Sequence, residues 1–374
     1  MNGRRADAWE SAALEPPRAH GLPLPAAELK AVPEDFHVEE QLSFEPSGSG
    51  PHWLLRVEKR SANTRWVGAE IARIAGVPAG DVGYGGLKDR HAVAVQWFSV
   101  PSLKTTAEFW NGVRTSEFKV LETLANLRKL RRGALSGNRF RIRLRNATWP
   151  RDQLESKLEA LRMYGAPNYF GPQRFGRGGY NLDRVADWVQ SGAAPRGRAE
   201  RGFALSAARS LVFNAVLARR VEAGDWSQLA AGDLAVLDGS GSHFSVSAVD
   251  EELRRRSSEL DIHPSGPLWG RGLPATQGQA LMHELAVSQE FAPVTELLAA
   301  QGLSQERRAL RCAVRDLSVE CDARMHGARM HGARMHGASN VTLSFFLGRG
   351  QFATAVLREI CAFEDVPELD ADDD

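Results

Sequence analysis

Cysteine is scarce. Three occur in 374 residues (Cys312, Cys321 and Cys361), with no CxxC pair, too few for a disulfide framework and wrongly spaced for a thiolate metal site. No run approaches the ~18 to 20 apolar residues of a membrane helix. Arg4 and Arg5 are not followed by the apolar stretch of a secretory signal. Nucleotide signatures are missing as well: no GxGxxG opens a helix, and Gly83 and Gly85 lead to Lys88 and Asp89 rather than to the GK[ST] of a phosphate loop. HExxH, Cys/His zinc spacing and a GxSxG elbow are also absent. Nucleotide cofactors, zinc hydrolysis and serine esterase chemistry lose support. A reduced, soluble, cytoplasmic protein with no metal site is expected.

What is there looks globular. Hydrophobic residues make up 43% and charged residues 25%, which argues against wholesale disorder. The length suggests two or three domains. A formal net charge of +1 hides an asymmetry, because residues 364–374 hold seven acidic and no basic side chains. The remaining 47 basic and 39 acidic residues leave the body at +8, which suits a polyanionic partner.

Along the chain, residues 1–28 read as a mobile leader. Residues 53–58 and 94–100 read as strands. Asn63 or Thr64 caps a helix carrying Trp66, Val67, Ile71 and Ile74 and ending at Gly76. Asp152 and Glu155 form a capping box for a helix through Met163. A stretch dense in glycine and aromatics follows at 165–181. Ser206 is expected to cap a long helix ending at Gly224, 264–279 to be loop-rich, and 294–312 to be helical. A strand at 341–347 and a helix at 351–362 close the pattern. Strands early and late around a more helical middle imply a discontinuous domain with an insertion. ARMHG occurs three times in tandem at 323–337; its five-residue spacing gathers the three histidines on neither a helix nor a strand, so an expanded surface loop is expected.

Three segments could carry chemistry. Between Arg128 and Arg145 lie eight basic residues and no acidic one. In RFRIRLR, Phe140, Ile142 and Leu144 alternate with Arg139, Arg141, Arg143 and Arg145, so a strand would have one apolar face and one face of four guanidiniums. Such a face either tracks phosphates or is paired with neighbouring carboxylates. GYGGLKDRHAV (83–93) presents Lys88, Asp89, Arg90 and His91 on a glycine-rich turn; this is a solvated tip, or an aspartate kept ionised by cations for work at a sugar carbon. NYFGPQRFG (168–176) sets Tyr169, Phe170 and Phe175 beside Arg174, as core plugs or as a single-stranded RNA surface.

Together these segments resemble the TruD family of tRNA pseudouridine synthases. The stretches that carry the resemblance are PEDFHVEE (33–40), NTRWVGAEIA (63–72), GYGGLKDRHAVAVQWFSV (83–100), RRGALSGNRFRIRLR (131–145), PNYFGPQRFGRGGYNL (167–182), LSAARSLVFNAVLARR (205–220) and GQFATAVLRE (350–359). The resemblance implies an α+β protein: a discontinuous pseudouridine-synthase catalytic domain with a mixed, largely antiparallel sheet (29–164 and 310–363), and an inserted, family-specific α/β domain at 165–309. It implies conversion of a tRNA uridine, at position 13 in the bacterial branch, to pseudouridine. It makes Asp89 the catalytic aspartate and matches Phe36, Asn138, Phe140 and Phe352 to residues that hold the target nucleotide. Lys30, Lys88 and Arg358 are the candidate cations for Asp89, and Arg139, Arg141 and Arg143 the candidate phosphate contacts. The reaction has no net redox change, so no cofactor is expected. The partner expected is tRNA, with no obligate protein partner and a monomer as the default. Attack on C1′ and removal of the C2′ proton both remain open as roles for the carboxylate. An inactive RNA-binding module is the alternative, against which the intact Asp89, Asn138 and Phe140 argue. A hydrolase pairing Asp89 with His91 lacks a third orienting group.

Overall fold

The computed structural model describes residues 3–322 and 339–365; the pentapeptide repeat at 323–337 and the acidic tail beyond 365 lie outside them. The chain starts with helix α1 (Gly3–Leu14), β1 (Leu24–Leu29), β2 (Phe36–Leu42), β3 (His52–Arg60) and helix α2 (Thr64–Ala75). Next come β4 (Gly83–Tyr84), β5 (Val93–Pro101), α3 (Ala107–Asn111), β6 (Phe118–Asn126) and β7 (Leu135–Ala147). The middle holds α4 (Arg151–Tyr164), β8 (Ala166–Pro167), α5 (Tyr180–Ser191), α6 (Arg198–Ala223), β9 (Leu234–Leu237) and β10 (His243–Ser245). It continues through α7 (Glu251–Ser258), β11 (Ile262–Leu268), α8 (Gly278–Glu290), α9 (Ala292–Ala300), β12 (Glu306–Ala309) and β13 (Arg311–Cys312). β14 (Arg315–Cys321), β15 (Ser339–Gly348), α10 (Ala353–Ile360) and β16 (Cys361–Asp365) finish it.

Two units result, each discontinuous. Of the described residues, a sheet unit takes 24–154, 315–322, 339–350 and 361–365; a helical unit takes 3–23, 155–314 and 351–360.

The sheet unit is built on a ten-stranded sheet with the central order β14-β15-β7-β2-β5-β3-β6. β2–β5 and β1–β16 pair in parallel and the other pairs run antiparallel. Its two faces follow from strand alternation. Phe36, Val38 and Glu40 of β2 lie opposite Ile142, Phe140 and Asn138 of β7, while Phe345 of β15 lies opposite Phe140. Through β5, Val38 pairs with Ala94 and Ala94 with Lys59 of β3. All of these side chains therefore share one face. α2 covers the β3–β5 part of that face, packing Val67 and Ile71 on Leu55, Val57 and Phe98. Its ends are as the sequence requires: the Asn63 side chain accepts from Arg65 N at 2.8 Å, and Gly76 takes the left-handed conformation at φ 67°. Trp66, however, is 42% exposed and lies off the buried stripe.

In the helical unit, α6 is buried nearly all round, at Leu211, Val212, Phe213, Val216 and Leu217, as a central helix must be. It packs with α5, α8 and α9 beside a four-stranded sheet of order β10-β9-β11-β12.

Several expectations change. The leader is not featureless: α1 buries Ala13, and β1 buries Leu24, Ala27 and Leu29 while pairing with β7 and β16. Partners distant in sequence order that stretch. The helical unit, which holds the expected α/β insertion, pairs its strands antiparallel, begins at 155 rather than 165 and gathers segments from both ends of the chain. α4 starts at Arg151, so Asp152 lies inside its first turn instead of capping it. α6 starts at Arg198 with Gly197 as its cap; Ser206 is internal and its hydroxyl accepts from Arg174 Nη1 at 2.8 Å. The helical pattern at 294–312 breaks after Ala300, where Gly302 takes φ 78° and β12 follows. Part of the loop-rich 264–279 is strand β11. It pairs with β9 through Ile262–Pro264 and with β12 through Ser265–Leu268, so tertiary pairing overrides two prolines.

Candidate active site

Asp89 lies in the turn between β4 and β5. Glycine is required in β4, where the chain leading into the turn passes close to backbone: a Cβ on Gly83 would sit 2.3 Å from the Leu130 carbonyl oxygen. A buried polar network holds the turn from below. Lys88 N donates to Thr64 Oγ1 at 3.0 Å, and Thr64 in turn donates to Gln96 Oε1 at 3.0 Å. Gln96 Nε2 donates to the Gly86 carbonyl at 2.7 Å and to Glu40 Oε1 at 3.3 Å. The Lys88 ammonium pairs with Glu40 at 2.5 Å, and Trp97 N donates to Glu40 Oε2 at 3.0 Å. Burial pushes the Glu40 carboxyl above its usual range, opposed chiefly by Lys88. Lys59 Nζ donates to the carbonyls of Ala62 at 2.6 Å and of Asp89 itself at 2.8 Å.

Above this layer the Asp89 carboxylate is 25% exposed. Its Oδ1 accepts from His91 N at 3.1 Å, and its Oδ2 forms an ion pair with Lys30. The same ammonium lies 4.6 Å from the centre of the Phe36 ring, a favourable position for a cation. Lys30 is held at φ 59°, a conformation costly for a non-glycine residue and concentrated at functional sites. Phe36 meets Phe140 edge-on at 6.0 Å, and Phe140 stacks on Phe345 at 5.4 Å. Asn138, two residues before Phe140 on the same face, has a buried Oδ1 with no hydrogen-bond partner among the described residues. Together these groups form a negative charge with its counter-ion, an apolar floor and an amide able to read a polar edge.

The fold thus brings Asp89, Lys30, Phe36, Phe140 and Asn138 to one face. The remaining candidates have contacts of their own. Lys88 turns to Glu40. Arg358 belongs to the helical unit, donating to the carbonyls of Pro16 and Pro17 and to Glu359 Oε1 at 3.1 Å. Phe352 is in the helical unit too, with Phe170 at 6.1 Å and the Arg308 guanidinium at 5.9 Å.

The arginine face of β7 is occupied by ion pairs. Arg139, Arg141 and Arg143 project from the face opposite Asp89 and pair with Asp316 at 3.0 Å, Glu320 at 3.3 Å and Asp322 at 2.9 Å, all from β14 or its end. Arg145 binds Asp35 through two nitrogens at 2.8 and 2.9 Å. Carboxylates thus meet all four guanidiniums. A hollow of about 420 Å³ on this face is lined by Glu34, His37, Glu58, Arg60, Val93 and Arg141, of both charge signs.

Lys59, Glu40, Gln96 and Thr64 escape the motif reading. A signal exists all the same: Leu55, Val57, Lys59 and Phe36, Val38, Glu40 each end an apolar alternation on a charge. Among the described residues there is no metal-binding cluster of His, Cys, Asp and Glu, and no helix long and apolar enough to cross a membrane.

Comparison with known proteins gives a consistent result. The family model "tRNA pseudouridine synthase D (TruD)" matches residues 23–194 and 201–360. A tRNA pseudouridine synthase D of Nitrosococcus oceani is 44% identical over 339 residues, covering 90% of this chain and 91% of the relative. That of Methylococcus capsulatus is 44% identical over 351 residues, covering 93% and 94%. The crystal structure of a putative tRNA pseudouridine synthase D from Methanosarcina mazei shares the fold, with a TM-score of 0.69 and 19% identity over 94% of this chain and 97% of that one. The chain belongs to the TruD family of tRNA pseudouridine synthases.

Proposed function

We propose that this chain isomerises a uridine of tRNA to pseudouridine with Asp89 as the catalytic carboxylate, Lys30 as its counter-ion and no cofactor; the family resemblance points to position 13. The reaction breaks the N1–C1′ bond and joins C5 to C1′. The C5 hydrogen leaves as a proton and N1 gains one, so no electron carrier is needed. An ionised carboxylate serves whether it attacks C1′ or takes the C2′ proton, and the Lys30 ammonium compensates that charge in a site partly shielded from water.

The observation that carries this reading is the Asp89–Lys30 ion pair against the Phe36–Phe140 ring pair. A stacked base is out of reach, so the nucleotide must be flipped at a cost of a few kcal/mol. Apolar rings at the site recover about 1 to 3 kcal/mol by contact with the base. The orphaned Asn138 oxygen suits the uracil N3–H, and its amide nitrogen suits a uracil carbonyl. Phe352 is assigned to the nucleotide by the resemblance alone. In this reading the sheet unit is the discontinuous catalytic domain, and the helical unit contains the family's inserted domain.

Tritium release from tRNA labelled at uracil C5, with mapping of the modified position, tests the proposal. Asp89→Asn should abolish release while leaving tRNA affinity within a few-fold. Release at the parental rate by that variant would falsify the assignment.

A further inference from the structure

Lys59 carries a charge on a face of β3 that is otherwise apolar. Leu55, Val57 and Lys59 project from β3 toward the same face, and all three are fully buried. An ammonium in that position is costly to desolvate, and a methionine or leucine would fill the space without the cost. Its partners are two main-chain carbonyls, of Ala62 and of Asp89. The charged groups around it are Asp89 and Lys88 from the turn and Glu40 from β2, with Lys30 bound to the Asp89 carboxylate. Asp89 is therefore held at both ends, its carboxylate by Lys30 and its carbonyl by Lys59.

We propose that Lys59 is a positioning residue for the isomerisation: by gripping the Asp89 carbonyl from beneath, it fixes the turn that aims the carboxylate at the ribose. The inference rests on Asp89 being the catalytic carboxylate. A pH dependence follows. Burial pushes the Lys59 ammonium down to about 8, with Lys88 pushing the same way and Asp89 and Glu40 opposing. Loss of that proton turns two charge-assisted hydrogen bonds into ordinary amine ones and withdraws a positive charge from beneath Asp89. Turnover at saturating tRNA therefore falls along an alkaline limb near pH 8.

The test is tritium release by the full chain, with kcat and KM measured from pH 6.5 to 9.5 for the parent, Lys59→Met, Lys59→Gln and Asp89→Asn. Lys59→Met should lower kcat at least tenfold with KM within threefold. Lys59→Gln, which still donates but carries no charge, should recover part of that loss and lack the alkaline limb of the parent. Parental kcat in both Lys59 variants, or a parental profile flat to pH 9.5, overturns the proposal. Should Lys59→Met not fold, Lys59→Gln and the parental profile decide by themselves. An active Asp89→Asn refutes the Asp89 assignment, whereas an inactive Asp89→Asn beside fully active Lys59 variants refutes only the role of Lys59.

Discussion

A lysine buried among aliphatic side chains has a thermodynamic signature apart from any catalytic one. Lys59 sheds its proton at about 8 in the folded chain against a usual 10.5. Below pH 8 both states hold the proton and the fold bears the cost of the buried charge. Between pH 8 and 10.5 the unfolded chain still holds a proton that the folded chain has lost, so the contribution to stability rises with pH, by about 3 kcal/mol at most. Urea unfolding at pH 7.5 and 10 should show this rise in the parent and not in Lys59→Met. Stability would then increase over the range in which turnover falls, a divergence that a merely structural lysine would not produce. The sequence showed this residue as a charge ending an apolar alternation, but its carbonyl partners come from two separate turns and were not readable. Asp89 was readable because a glycine-rich turn and neighbouring cations concentrate chemistry in a few consecutive residues. Which cation pairs with it was not, since Lys30 is 59 positions away.

At the scale of elements, β7 separates the legible from the illegible. Its two-residue period set Phe140, Ile142 and Leu144 on one face and the arginines on the other, and the structure agrees. What faces the arginines depended on β14, some 177 residues further along. Arg141 and Glu320 are both largely exposed, at 60% and 70%, so their pair contributes no more than about 1 kcal/mol. Arg141→Ala should leave the salt slope of tRNA binding unchanged, as titrations at several salt concentrations would reveal; a slope reduced by about one would return that face to phosphate binding. The same strand contains a position that tolerates no side chain. A Cβ on Gly137 would lie 2.2 Å from the Leu347 carbonyl oxygen and 2.4 Å from the Phe346 ring. Gly137→Ala should destabilise the sheet by roughly 1 to 3 kcal/mol through overpacking, read as a lowered urea midpoint, and should disturb the neighbouring Asn138.

For the molecule as a whole, the last described segments serve two cores. α10 belongs to the helical unit, where Glu359 Oε2 accepts from Ala19 N at 2.9 Å and His20 N at 3.0 Å, while β16 pairs with β1 in the sheet unit. A chain ended after Gly350 should lose cooperative unfolding in both units, measured by near-UV circular dichroism during denaturation. A separate, native-like transition would contradict this dependence. By itself the sequence determined the family, the alternating strands, the capped α2 and the turn bearing Asp89, because each is encoded in short-range periodicity or a contiguous motif. Only the tertiary structure decided that α1 and β1 are ordered, that acids from β14 neutralise the arginine face, and that Lys30 and Lys59 hold the two ends of Asp89. Those outcomes depend on strand pairing and burial among residues far apart in the chain, where local pattern carries no information about the partner.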